Sequence, residues 1–140
     1  MERSRWFSPA ALVLVVIGGA IGVSARAALT LPAEAADSPL VVPAVTLAVN
    51  LVGALLLGVL LGALGDRLPR LRAFAGTGVL GGFTTYSAFA VQTVTTSSAA
   101  PVVGLAFAVV SVFGGALAAA AGLGLGSRAS GGQTAAEEPA

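Results

Sequence analysis

The sequence predicts an all-α membrane protein of four transmembrane helices with a break in the third. Three observations lead there. Of its 140 residues, 56% are hydrophobic and only 9% are charged, whereas soluble domains carry about a quarter charged residues. The charges gather in the connections and near the ends, leaving four stretches long enough to cross a bilayer core, which takes roughly 20 residues each. The third stretch contains Gly78-Val79-Leu80-Gly81-Gly82-Phe83-Thr84-Thr85-Tyr86-Ser87-Ala88-Phe89, a density of glycines and hydroxyls that weakens a helix. Backbone groups freed there must find protein, ion or water partners, because hydrocarbon offers none. An uncharged segment that invites a break, and then sets hydroxyls and rings beside it, is suited to touching an ion.

The first span covers about residues 7–31. Arg3 and Arg5 ahead of an apolar run resemble the start of a signal peptide, but the run outlasts an h-region and leads to Arg26, so it reads as an uncleaved helix. Gly18, Gly22 and Arg26 fall on one face, since four residues nearly complete a turn. Small residues there admit a close neighbour. An arginine inside a membrane segment is expensive and faces a cavity or partner; the alternative is an anchor that snorkels to the interface beside Pro32. Residues 32–39 form a loop holding Glu34 and Asp37.

The second span, about 41–64, places Thr46, Asn50 and Gly53 on one face. The Asn50 amide supplies two donors that could replace part of an anion's hydration shell, or it could serve a hydrogen bond between helices. A tight basic turn over 65–70 leads into the third span, about 71–95. Gly81 and Gly82 are the expected break, with unwound carbonyls aimed at a cation, as in other broken membrane helices. Beyond them Tyr86 and Phe89 are i, i+3 neighbours. Ring edges carry positive potential, so edges turned to a pore favour an anion; plain aromatic packing, with the glycines for close contact, is the alternative. The fourth span, about 99–125, carries Ser111, Gly114 and Gly115 among Ala and Val and reads as a packing helix, a pore-lining Ser111 being the alternative. Residues 1–126 are thus one domain. Residues 127–140 are polar, rich in Gly and Ala and end in two glutamates, which predicts a disordered cytoplasmic tail.

Composition also excludes functions. There is no Cys and no His, which removes thiolate chemistry, the commonest metal ligand and the usual general base. No phosphate-binding loop and no pair of embedded carboxylates suggests catalysis. A net charge of +1 on dispersed arginines gives no reason to expect nucleic acid as a partner. If all four segments span, Arg3, Arg5, Arg67, Arg70, Arg72 and Arg128 share one side. The positive-inside rule then puts both termini in the cytoplasm of a multi-pass cell-membrane protein surrounded by lipid.

Three patches together resemble the Fluc (CrcB) family of fluoride channels. Gly18-Gly19-Ala20-Ile21-Gly22-Val23-Ser24-Ala25-Arg26 is similar to its glycine-rich first helix. Thr46-Leu47-Ala48-Val49-Asn50-Leu51-Val52-Gly53 is similar to its Asn motif. Gly81-Gly82-Phe83-Thr84-Thr85-Tyr86-Ser87-Ala88-Phe89 is close to its GG-x-TTFSTF signature. The resemblance implies an antiparallel, dual-topology dimer with two narrow fluoride pores and passive export of fluoride from the cytoplasm. It implies a structural Na+, not transported, on the backbone carbonyls of Gly81 and Thr84. It gives Asn50, Tyr86, Phe89, Ser87 and Thr46 to the fluoride pore, and Arg26 to the aqueous vestibule. Three positions depart from the pattern. Tyr86 stands where Phe is usual, Ala88 where Thr is common, and Gln92 where Glu is often found. With the arginine bias, which disfavours insertion both ways, these departures lead to the expectation of an oppositely oriented, paralogous partner subunit. Two rival readings are a small multidrug-type transporter and a non-conducting partner subunit of a heterodimeric channel. The first would want an embedded carboxylate, and none falls in a span.

Overall fold

The computed structural model describes residues 8–136. Every regular element among them is helical: α1 (Pro9–Glu34), α2 (Val41–Leu64), α3 (residues 69–83), α4 (Tyr86–Ala99) and α5 (Pro101–Ala136). Helices α1, α2 and α5 are long and apolar enough to cross a membrane. The third span, expected over 71–95 with a break in it, is two shorter helices, α3 and α4, separated at Thr84 and Thr85, whose backbones are extended. Within α3 the stretch Arg72–Leu80 is a π-helix, whose hydrogen bonds span one residue more than those of an α-helix.

Packing is inside out relative to a soluble protein. Few side chains are buried, whereas Leu12, Val16, Ile17, Val102 and Leu117 point outward, as a chain solvated by lipid tails requires. Without a hydrophobic force between helices, association rests on close van der Waals contact, and small residues supply it. A Cβ on Gly18 or Gly22 of α1 would run into the backbone of Phe74 or Val79 on α3. One on Gly58 or Gly62 of α2 would strike the carbonyls of Ala119 or Leu123 on α5, and Gly122 and Gly126 meet α2 in the same way. The residue pairing in these contacts rises together along both chains, so α1 runs parallel to α3 and α2 parallel to α5. Gly53 faces Thr84 while Gly76 faces Leu57 and Leu60, so α2 runs opposite to α3.

Two boundaries differ from the sequence reading. Helix α1 continues through Pro32 to Glu34 instead of ending near 31; a proline in the last turn disturbs only one late hydrogen bond. Helix α5 continues to Ala136 although a polar tail was expected from 127. Its extension is held to α2, where Gly126 packs against Val59 and Ala63, and the Ser130 hydroxyl donates to the carbonyls of Gly126 (2.9 Å) and Gly62 (3.3 Å). Phe7, Arg3, Arg5 and residues 137–140 lie outside the described residues.

The two ends of the bundle differ in charge. The end formed by the α2–α3 connection and the last turns of α5 carries Arg67, Arg70, Arg72 and Arg128, with Asp66 bonded to Arg72 at 2.9 Å. The opposite end carries Glu34 and Asp37.

Candidate functional site

The site is built around the break. Its two residues need partners for backbone groups that no helix satisfies, and one side chain from α2 provides them for Thr85. The Asn50 Nδ2 donates to the Thr85 carbonyl at 3.0 Å, and the Thr85 N–H donates to Asn50 Oδ1 at 2.8 Å. Thr85 also begins α4: its hydroxyl accepts from the Ala88 N–H at 3.3 Å and lies 3.2 Å from the Ser87 hydroxyl, a Thr N-cap. On the other side, the Thr84 N–H and hydroxyl both donate to the Leu80 carbonyl at 3.0 Å. The amide of Asn50 keeps one N–H uncommitted, because its NH2 carries two donors.

Gly81 and Gly82, the expected break, are helical. The reason lies in α1. A Cβ on Gly82 would sit 2.5 Å from the Gly19 carbonyl, so this glycine permits a helix crossing; the turn out of helix falls on the two threonines. Arg26 is drawn in as well: its Nε donates to the Gly82 carbonyl at 3.3 Å. A cation bonding to the last carbonyls of a helix is favourable. Among the described residues, no hydrogen bond reaches the carbonyls of Gly81 or Thr84.

Thr46 and Asn50 lie one turn apart on α2. Thr46 is the most enclosed polar residue, 1% exposed, and its hydroxyl accepts from Gln92 Nε2 of α4 at 2.9 Å. The two aromatic positions part company. Phe89 turns inward, with its ring centroid 5.8 Å from that of Phe107 on α5. Tyr86 is 80% exposed and meets the Phe89 ring at 5.8 Å and a 50° tilt. Both rings line a groove of about 1200 Å³ that also receives Asn50, Gly81, Thr84, Thr85 and Ser111. The structure therefore brings Asn50, Gly81, Thr84, Tyr86 and Phe89 to one groove. Ser87 is exposed beside it, while Thr46 and Arg26 lie behind it, each joined to α4 or α3 by one bond. Sequence reasoning overlooked Thr85, although a threonine ahead of an apolar run is a helix-start signal. It also missed the Gln92–Thr46 bond, for which no local signal exists.

Residues 13–123 match the family profile described as CrcB-like protein, Camphor Resistance (CrcB). The chain belongs to this family. CrcB relatives span most of their length and most of this one. A protein of Leifsonia xyli subsp. xyli named fluoride-specific ion channel FluC 2 is 45% identical over 123 residues, covering 83% of each chain. Proteins of the same name from Corynebacterium jeikeium and Bacillus subtilis are 40% and 39% identical, covering 82% and 84% of this chain and 78% and 88% of their own. The CrcB membership agrees with the resemblance carried by the three sequence patches.

Proposed function

We propose that this chain is a channel subunit, not an enzyme, that lets fluoride leave the cytoplasm passively and so lowers its toxicity. One observation carries the reading: a helix break inside an apolar chain, lined by an amide, hydroxyls and rings and by no carboxylate. Fluoride is small and strongly hydrated, so a selective path must replace its water with fixed donors. The uncommitted Asn50 N–H and the Tyr86 and Phe89 rings line the groove, and the Ser87 hydroxyl is exposed beside it, while Thr46, buried one turn behind Asn50 and bonded to Gln92, backs the path. Arg26 contributes positive charge beside the path. The names borne by the relatives support this substrate.

In this reading α3 and α4 together make a fourth crossing, and two subunits meet in opposite orientations across the groove. A structural Na+ fits the break, because the carbonyls of Gly81 and Thr84 are left without hydrogen bonds and a hard cation takes oxygen ligands. Those two carbonyls would hold it; bound there, it would supply fixed positive charge and tie the broken helices of two subunits together. Both termini face the cytoplasm, the basic end of the bundle being the inner one.

The charge difference between the two ends favours a further reading of the assembly, in which the partner is a paralogous chain inserted the other way. A non-conducting role within such a pair is the outcome to test against. A multidrug-type exporter is disfavoured, since the described acidic residues Glu34, Asp37 and Asp66 lie at helix ends or in connections. The deciding measurement is fluoride efflux from liposomes carrying this chain alone and with a co-expressed paralogue. Fluoride release without chloride release is expected. Equal leakage of both ions, or of neither in both preparations, overturns the reading. A stable dimer with robust flux from the chain alone overturns the paralogue.

A further inference from the structure

Tyr86 is the one tyrosine of the chain, and its position is unusual for that residue. Membrane tyrosines collect at the lipid–water interface, where the hydroxyl reaches water. Tyr86 opens α4 directly after the break. The break is level with Gly53, because a Cβ there would strike the Thr84 side chain. Gly53 stands twelve residues from one end of α2 and eleven from the other, which puts Tyr86 near the middle of the bilayer. At that depth it is 80% exposed, and among the described residues its hydroxyl has no hydrogen-bond partner. A hydroxyl in hydrocarbon without a partner is costly, so the groove must supply one.

The other groups in the groove indicate what kind. Asn50 has an N–H left over. The Ser111 hydroxyl, on the same groove, is buried with no partner. No acidic side chain and no histidine line it, and its one charged side chain, Arg72, is bonded to Asp66. A phenol is also a stronger donor than an aliphatic hydroxyl. The free carbonyls of Gly81 and Thr84 also lie on the groove; with these given to a cation, the N–H and O–H donors that remain suit an anion.

Resting on the channel reading above, we propose that the Tyr86 hydroxyl donates a hydrogen bond to fluoride in the groove. This subunit then meets the ion at that position with an O–H donor and not with a ring edge. Hydrogen bonds to charged groups are the strong ones, and losing one that forms mainly at the barrier is expected to slow passage about tenfold, equivalent to about 1.4 kcal/mol.

The test is fluoride efflux from liposomes carrying the full chain in whichever pairing conducts, comparing unaltered protein with Tyr86→Phe and Tyr86→Ile. Melting of each purified protein is followed in parallel. The expected result is that Tyr86→Phe slows efflux about tenfold with an unchanged melting midpoint, and that Tyr86→Ile slows it at least as much. If Tyr86→Phe stays within about threefold of the unaltered protein, the hydroxyl proposal is overturned while the channel reading stands; a defect confined to Tyr86→Ile then assigns the role to the ring. A slowing accompanied by a lowered midpoint also overturns it, because the hydroxyl would then serve the fold. If the unaltered chain passes no fluoride in either pairing, the channel reading fails and this proposal with it.

Discussion

Asn50 closes the backbone across the break with both halves of its amide, so its substitution should separate structure from conduction. Asn50→Ala leaves the Thr85 N–H and carbonyl unpaired in a place water reaches poorly. The expected cost is about 1–3 kcal/mol per orphaned group, read as a lowered melting midpoint in detergent. Asn50→Asp retains an acceptor for the Thr85 N–H but sets a carboxylate against the Thr85 carbonyl, and it should abolish fluoride efflux. Arg26→Ala removes the donor to the Gly82 carbonyl; a destabilisation of about 1–3 kcal/mol is expected in the same melting assay, whereas an arginine serving only as an interfacial anchor would show none. These residues also mark how far the sequence could be read. The residue types that converge at the site were legible from their rarity in an apolar chain: one amide in the second span, one arginine in the first, and the Tyr86 and Phe89 rings after the glycines. Their bonding was not. The exact carbonyl that Arg26 reaches, and the pairing of Asn50 with the Thr85 backbone, depend on how α1 and α2 cross α3, which no local pattern encodes.

At the scale of elements, the contacts that matter are backbone against backbone. Gly122→Leu or Gly58→Leu would force α2 from α5, and overpacking of this kind costs about 1–3 kcal/mol or more. Gly115→Ala and Gly124→Ala, where nothing lies within 4 Å of an added Cβ, should cost no stability in the same melting experiment and can raise the midpoint slightly, because alanine favours helix over glycine. The long apolar helices were legible because lipid demands length and lack of charge, and these are additive along a chain. The position of the break was not, because a pair of glycines has two opposite uses: it can weaken a helix, or it can let one pass close to another. At Gly82 the second use prevails, since Gly19 occupies the space a side chain would need. The π-helical stretch Arg72–Leu80 likewise left no trace in the pattern. It winds more residues into each turn, so deleting one residue from it should rotate everything beyond by roughly 80°, somewhat less than the step of an α-helix. Thr85 would turn away from Asn50, and loss of fluoride efflux is the expected result.

For the whole molecule, the uneven ends make orientation testable. The chain contains no cysteine, so single cysteines placed in the loop between α1 and α2 and in the loop between α2 and α3 report sidedness without background. The expected outcome is labelling of the first from outside and of the second from inside. Replacing Glu34 and Asp37 together by arginine should reverse the bias in part and give a mixed population. In the proposed assembly, exchange of Na+ for a bulky organic cation should lower the melting midpoint of the dimer, and Asp66→Asn should not, because an exposed ion pair such as Asp66 with Arg72 contributes about 0–1 kcal/mol. The placement of the break has one more consequence. Turning a neighbour upside down changes the height of every feature except one lying on the plane about which it is turned. Since Thr84 faces the midpoint of α2, an inverted companion of like build would present its own interruption at the same height. An interruption two turns higher would leave the pair some 20 Å apart, too far for a single ion to serve both.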